Sequence, residues 1–428
     1  MTSWDYFDTL HGRATGVDPW RLFDLVAGEE YRRLRQEAEL ASDKTWAGIF
    51  ASLRRITGWS AARVDELRDR EEAAEIACGF PILENARQVE AGHRIVSDTY
   101  FDAAQVRRMA ARIGLPADLE VVVSWDGKWT GRWWRSPAGR ATTLHIGDNA
   151  RSDIAQATAA GIQSRRYTGG GWTKAEAALD KAGRWEVAGA ARAARLQNPH
   201  PPGSPAAGWW DAAAAANVPF VLLAAAMVRQ YAAAAGRRRI FFVSRDSILL
   251  GRAYARLYPD TETGVFHASR ETFRRPSPRF LTYVKWLAAD TLFVDLHGTG
   301  KTMREFSAAN GVDLAYVFVC GQRRLRMHAP SLATLHGIGT GTAVEVMNYH
   351  TEGRVTDVTA CGEPVRAPVE YDLEPVRVIQ AATLAGVAAC CRPPEAVAAE
   401  DLASAADAVR QAVPRELLRQ HEVEHTRR

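Results

Sequence analysis

Apolar and polar positions along the chain follow two periods. Leu22-Phe23 and Leu25-Val26 return at helical spacing, and residues 29–40 set Arg and Glu between apolar positions three or four apart. Such a pattern predicts amphipathic helices across residues 19–77. Asp18-Pro19 supplies a cap and a helix-starting proline ahead of them. Short apolar runs that end in polar residues follow, at 94–97, 119–124 and 142–147, and read as strands. Helical patterns lie between and after them, at 101–113 and at 152–161, the latter closed by Gly161. A short strand at 3–7 precedes the helical block. Strands alternating with helices, with polar residues at the strands' C-terminal ends, predict an α/β fold with an open parallel sheet. The insertion at about 15–85 reads as a small helical cap.

The alternation breaks at 196–208, LQNPHPPGSPAAG, where proline-containing turns crowd together. It resumes with strands at 239–243, 264–269, 291–295 and 315–320, and with helices at 248–257 and from residue 302. The expected organisation is one α/β domain over 1–195, a linker over 196–208, a second α/β domain over 209–392, and a peripheral helical tail over 393–428. A length of 428 residues fits two cores better than one. The uncharged, Ala-rich stretch 212–228 contains Asn217 and Pro219 and falls short of the ~20 apolar residues of a spanning helix. It reads as a buried helix, which gives no expectation of a membrane.

Composition adds little to this picture. The chain is 47% hydrophobic and 24% charged with a net charge of +4, and its arginines are scattered, so no nucleic-acid partner is expected. Cys78, Cys320, Cys361, Cys390 and Cys391 lack metal-type spacing, and residues 1–10 lack an apolar targeting core. The expectation is a cytoplasmic protein with reduced thiols. The composition does not fix an oligomeric state.

The N-terminal chemistry starts at Asp5, in Trp4-Asp5-Tyr6-Phe7-Asp8-Thr9-Leu10. A carboxylate that attacks phosphorus must be fixed at a strand end beside a metal that screens its charge. Magnesium takes oxygen ligands, and Asp148 and Asp153, in Gly147-Asp148-Asn149-Ala150-Arg151-Ser152-Asp153, can join Asp5 in supplying them. Ser97 ends a strand and offers a hydroxyl to a phosphoryl oxygen. Lys128 offers the positive charge, with Arg132 as a competitor for that role. Trp125, Trp129, Trp133 and Trp134 cluster around Lys128; packing is their expected role, stacking on a ligand ring the alternative.

These four motifs, in this order, resemble the haloacid dehalogenase-like hydrolase superfamily. Their wording is similar to a branch of predicted hydrolases associated with bacterial surface-glycan genes. The resemblance covers residues 1–165 and extends more weakly toward residue 390. It implies a Rossmann-like parallel sheet and a magnesium-dependent phosphatase or phosphotransferase. By that resemblance Asp5 is the nucleophile and a metal ligand, and the Phe7 carbonyl is a second ligand. Thr9 shapes the loop, Ser97 binds phosphate, Lys128 pairs with Asp5 and the phosphoryl group, and Asp148 and Asp153 complete the metal site. Two departures matter: Phe7 replaces the acid that relays protons in most such phosphatases, a loss of ~10²–10⁴ in rate, and the motif around Lys128 is irregular, so that Lys128 and Arg132 compete for one role. Asp8, one residue beyond Phe7, is expected to point away.

In the second half, Phe293-Val294-Asp295-Leu296-His297-Gly298-Thr299-Gly300-Lys301-Thr302 runs from a strand into a helix. A phosphate-cradling P-loop requires glycine where Asp295 stands, which excludes that motif. The segment resembles the diphosphate-ribose loop of phosphoribosyltransferases, with Val294 in place of the usual first acid. That resemblance implies phosphate binding by Thr299, Gly300, Lys301 and Thr302 and ribose binding by Asp295. Ser244-Arg245-Asp246-Ser247 has the same strand–turn–helix layout and fits a pyrophosphate loop, with Arg245 supplying charge beside Asp246. Arg270, Arg274 and Arg275 are further candidate anion contacts. His297, His328 and His350 are scattered and read as polar loop residues.

The expected function is that of an enzyme acting on a small phosphorylated metabolite, a phosphosugar or nucleotide, with magnesium as cofactor. Phosphoribosyl diphosphate or a nucleotide is the expected ligand of the second domain. Two alternatives stand beside this: phosphoribosyl transfer on an N-terminal scaffold, or a protein that captures a phosphorylated ligand without turnover.

Overall fold

A computed structural model of the protein describes residues 1–321, 332–337 and 341–426. The chain divides into two compact units, Met1–Pro199 and His200–Arg428. Each is an α/β unit built on its own five-stranded parallel sheet.

The strands of the first unit are β1 (Thr2–Trp4), β2 (His11–Arg13), β3 (Gly79–Pro81), β4 (Arg94–Asp98), β5 (Glu120–Ser124), β6 (Leu144–Gly147) and β7 (Gln163–Arg166). The sheet order is β5-β4-β1-β6-β7. From the central β1 the chain builds outward to one side and then returns to build the other. A crevice therefore opens at the C-terminal ends of β1 and β6.

The strand expected at 3–7 stops at Trp4. Asp5 N–H still donates to the Ile146 carbonyl at 2.8 Å, but the Tyr6 carbonyl accepts from Leu10 and His11, which closes a tight loop. Asp8 takes a left-handed conformation (φ +56°) inside it. The helix expected at 152–161 splits into a π-helical turn, Ala150–Ala155, and a short α-helix, Gln156–Ala159. The wider turn places Ser152 and Asp153 inward, and both are buried. The edge strand β7, of sequence QSRR, is mostly exposed, so no apolar alternation announces it.

Three helices are inserted between the antiparallel pair β2 and β3: α1 (Trp20–Leu40), α2 (Trp46–Thr57) and α3 (Ala61–Cys78). The Thr45 and Ser60 hydroxyls cap α2 and α3, and Gly58, in the left-handed region (φ +67°), closes α2. Several of the insertion's charges lie inside it. Arg35 is fully buried, hydrogen-bonded to Glu71 and Glu39, and Tyr31 donates to Glu71 at 2.7 Å. Its guanidinium also lies 4.7 Å from the centre of the Phe23 ring.

The second unit contains β8 (Arg239–Val243), β9 (Glu262–Phe266), β10 (Thr291–Gly298), β11 (Ala315–Gly321) and β12 (Leu332–Gly337), in the order β12-β11-β10-β8-β9. An antiparallel hairpin, β13 (Val355–Val358) with β14 (Pro364–Arg366), follows. β10 is longer than expected: its ladder with β11 continues past Asp295 to Gly298. An aromatic core, with Phe266, Phe273, Phe280, Phe293 and Phe306, packs one face of the sheet.

The Ala-rich stretch belongs to one long helical segment, Pro205–Ala234, which by length and composition alone is apolar enough to cross a membrane. Here its residues from Val218 to Ala226 are buried, and it packs against the helices Ile248–Leu257, Leu373–Ala389 and Ala399–Ala412. The tail is not peripheral. Leu402, Ala406 and Val409 are fully buried in the helix Ala399–Ala412, which packs on that segment.

Candidate functional site

Four separate segments meet at the crevice of the first unit. Asp5 leaves β1, Ser97 and Asp98 end β4, Lys128 follows β5, and Asp148 and Asp153 follow β6. Carboxylate oxygens of Asp5, Asp148 and Asp153 lie within 4.8 Å of one another, an arrangement that could hold a metal ion. Lys128, buried, donates from Nζ to Asp5 Oδ1 and to Asp153 Oδ1, the latter at 2.6 Å. Of the two residues weighed for the basic role, Lys128 stands among these carboxylates, whereas Arg132 is exposed and paired with Asp126.

The charges are poised for a cation. One ammonium faces three carboxylates. Burial lifts Asp5 well above the usual carboxylate range against the pull of Lys128, and Asp153 and Asp148 add to the rise. Burial, then Asp8 and Asp153, push Asp148 up to about 6. Asp153 goes the other way. Burial raises it, but the Lys128 charge and the His145 hydrogen bond outweigh that and hold it well below the ordinary value. Lys128 is held above the usual lysine value: burial opposes its charge, and Asp5 and Asp153 more than compensate.

The supporting residues explain the precision. Asp153 Oδ2 accepts from Asn149 N–H at 3.0 Å, and Asp153 Oδ1 lies 3.2 Å from His145 Nε2. His145 is buried, and burial lowers its pKa, so it is neutral. The tautomer that satisfies both contacts has Nε2–H donating to Asp153 and Nδ1 accepting from the Ser3 hydroxyl at 2.8 Å. Gly147 is required by this packing, because a Cβ there would lie 2.5 Å from the Asp153 carboxyl carbon. Asp98 anchors the Lys128 loop: it accepts from Lys128 N–H (3.0 Å), Trp129 N–H (2.8 Å) and the Ser124 hydroxyl (2.8 Å). Thr9 donates to Asp5 Oδ2 at 3.4 Å. Ser97 is buried on β4, two residues beyond the partner of Trp4.

Phe7 packs among Tyr6, His11 and Phe101, with the Arg13 guanidinium 4.0 Å from its ring centre. Asp8, expected to point away, is held in an ion pair. It is close enough to contribute to the raised pKa of Asp148, and it accepts from the buried Arg192 at 2.6 Å. Arg192 also donates to the Arg13 and Gly170 carbonyls, so it ties the Asp8 loop down from a helix far along the chain. Of the four tryptophans, Trp134 is core and donates to the Ser152 carbonyl, while Trp125 and Trp129 remain exposed. Asp98 and His145 stand inside the motifs that identified the site, one residue after Ser97 and two before Gly147. Arg192 carries no local signal.

In the second unit the two expected loops converge, because β8 and β10 are neighbours. The Ser247 hydroxyl accepts from Leu296 N–H at 2.8 Å and donates to Asp295 Oδ1 at 3.4 Å, and Tyr316 donates to Asp295 Oδ2 at 3.2 Å. Burial, with Asp246 beside it, raises Asp295 well above the carboxylate range. Burial, then Glu345, brings Asp246 up to about 6. Arg245 lies 3.3 Å from Glu345 and over the Tyr349 ring at 4.4 Å. Thr299 and Gly300 lead into the helix Lys301–Asn310 with Gly300 at φ +69°; Lys301 N–H donates to the Thr299 hydroxyl, and the exposed Lys301 side chain faces Glu305. Thr302 lies in the first turn of that helix. His297 is in β10 rather than a loop and stands near Asp246 and Arg270. His350 is buried, and His328 lies outside the described residues. Tyr316 and Glu345 reach this crevice by tertiary packing, without a sequence motif.

Compared with protein-family models and with curated proteins, the chain finds no match in either.

Proposed function

We propose that the first unit is a magnesium-dependent phosphohydrolase or phosphotransferase of the haloacid dehalogenase-like type, acting on a small phosphorylated metabolite. The observation that carries this reading is the convergence of Asp5, Asp148, Asp153 and Lys128 at the C-terminal ends of the central strands. A strand order with the nucleophile on the middle strand supports a Rossmann-like fold, where ligands bind at the switch point. The donors are all hard oxygens, which fits magnesium. When bound, magnesium screens the nucleophile from the phosphate charge.

In this reading an Asp5 carboxylate oxygen attacks phosphorus, and Lys128 and Ser97 hold the phosphoryl oxygens. Asp5 and Asp148, with the Phe7 carbonyl, hold the metal. Asp153 has three donors already and serves mainly to aim Lys128. A single-turnover assay over phosphosugars and nucleotides, with and without magnesium, tests the reading. Turnover must vanish in Asp5→Asn. Ligand-induced melting shifts without product would favour a binding protein instead.

For the second unit, the Ser247–Asp295–Tyr316 cluster between β8 and β10 favours a phosphoribosyltransferase-like site, with Asp295 on the ribose and residues 299–302 on phosphate. Pyrophosphate release from phosphoribosyl diphosphate, abolished by Asp295→Ala, is the result this reading requires.

A further inference from the structure

We propose that Phe7 restricts the Asp5 site to phosphoryl donors whose leaving group departs without a proton, namely acyl phosphates and phosphoric anhydrides, and that it leaves Asp5 phosphorylated between turnovers. This rests on Asp5 being the nucleophile, as proposed above. The position two residues beyond Asp5 is held by an aromatic ring fixed on three sides by Tyr6, His11 and Phe101 and stacked under Arg13. The proton carriers near that ring are a buried histidine and two carboxylates held in ion pairs. His11 is buried; its Nδ1 bonds the Tyr6 hydroxyl at 3.0 Å, and its Nε2, without a hydrogen-bond partner, faces Gly79 on β3, where a Cβ would come within 2.9 Å of it. Asp8 is paired with Arg192 at 2.6 Å. Glu75 is paired with Arg13 at 2.5 Å, and a guanidinium does not release its proton.

The consequences follow step by step. An Asp5 oxygen forms a bond to phosphorus while the bond from phosphorus to the leaving oxygen breaks, and the electron pair goes to that oxygen. An alkoxide requires a proton at this moment, whereas a carboxylate or a phosphate leaves as a stable anion. In the second step the oxygen of water attacks phosphorus and frees the Asp5 carboxylate. The water proton passes to the departing phosphate or to solvent, with no acid at position 7 to collect it. General acid–base help is worth about 10²–10⁴ in rate, so both alkyl-ester cleavage and dephosphorylation slow by that factor.

The test uses the full chain with magnesium in rapid-mixing experiments. Acetyl phosphate is compared with glycerol 3-phosphate and with aryl phosphates of graded phenol acidity. The expected result is acetyl phosphate consumed at least about 10²-fold faster than the alkyl ester, with rates climbing as steeply with phenol acidity as they do in water. A burst of one leaving group per chain should precede a slow phase. Phe7→Asp should raise the alkyl-ester rate by about 10²–10⁴ and abolish the burst. The leaving-group series on the unaltered protein decides the matter even if that variant fails to fold. Alkyl and acyl phosphates consumed at equal rates would overturn this inference and leave the nucleophile assignment standing. No phosphorylation of Asp5 from any donor, together with no magnesium-dependent binding of beryllofluoride, would overturn both.

Discussion

Replacing Lys128 with methionine keeps the length and bulk of the side chain and removes its charge. Lys128 is 2% exposed and, among the described residues, is the one cation that touches both Asp5 and Asp153. The variant leaves three carboxylates within 4.8 Å without it. Breaking a buried ion pair by removing one partner costs about 3–5 kcal/mol. For a unit the size of Met1–Pro199, each kcal/mol lowers the melting temperature by about 2–4 °C, so the drop should be roughly 6–20 °C.

Two dependences separate this electrostatic cost from a packing defect. Millimolar magnesium should recover part of the loss, because a divalent cation supplies the missing positive charge. Acid should recover part as well. Asp5 and Asp148 already have raised pKa values in the folded state. A carboxyl raised on folding favours the folded state below its unfolded pKa and loses that contribution as pH rises through the folded one. Removing Lys128 raises both further, so the deficit should be largest near neutrality and shrink toward pH ~5. Scanning calorimetry of the whole chain, following the transition that responds to magnesium, measures all three effects. A drop of no more than about 2 °C, the size expected of a solvent-exposed pair, with no response to magnesium or pH, would refute the reasoning.

Magnesium affinity, measured by titration calorimetry, should fall about tenfold per pH unit below pH ~6, since the proton on Asp148 must leave before the cation enters; a flat profile would remove Asp148 from the ligand set. Gly147→Ala should lower turnover by pushing Asp153 off Lys128, and Asp153 held at its position in a crystal structure of the variant would contradict this. Asp98→Ala should reduce kcat while leaving magnesium affinity near wild type, because it frees the Lys128 loop without touching Asp5 or Asp148; Asp98→Asn should restore part of the rate, and equal loss in both variants would argue against the anchoring role. Asp295→Asn should leave the melting temperature near wild type at neutral pH and should flatten the decline in stability that ionisation of Asp295 causes as pH rises. A large loss of stability at neutral pH would mean the carboxylate is ionised and needed in the fold.

What the sequence makes legible here is what local chemistry dictates. Asp5 and Asp148 directly follow β1 and β6, Lys128 and Asp153 lie in the turns after β5 and β6, and a strand followed by a polar turn can be read residue by residue. The inner charges of the helical insertion could not be read this way. Arg35 and Glu71 have the spacing and composition of a solvated helix face, and only their meeting across α1 and α3, 36 positions apart, makes them a buried pair. The π-helical turn escaped for a related reason: the apolar pattern of 152–161 is helical, and the widening that buries Asp153 is imposed by its bonds to Lys128, His145 and Asn149. Asp8 is the sharpest case: its left-handed backbone and the reach of Arg192 from position 192 fix its carboxylate in an ion pair that no local pattern announces. An arginine 184 positions away holds the Asp8 carboxylate in a charged pair, and if the first unit is the phosphatase proposed above, releasing it by Arg192→Met is the change that would show whether Asp8 can relay the proton that Phe7 cannot.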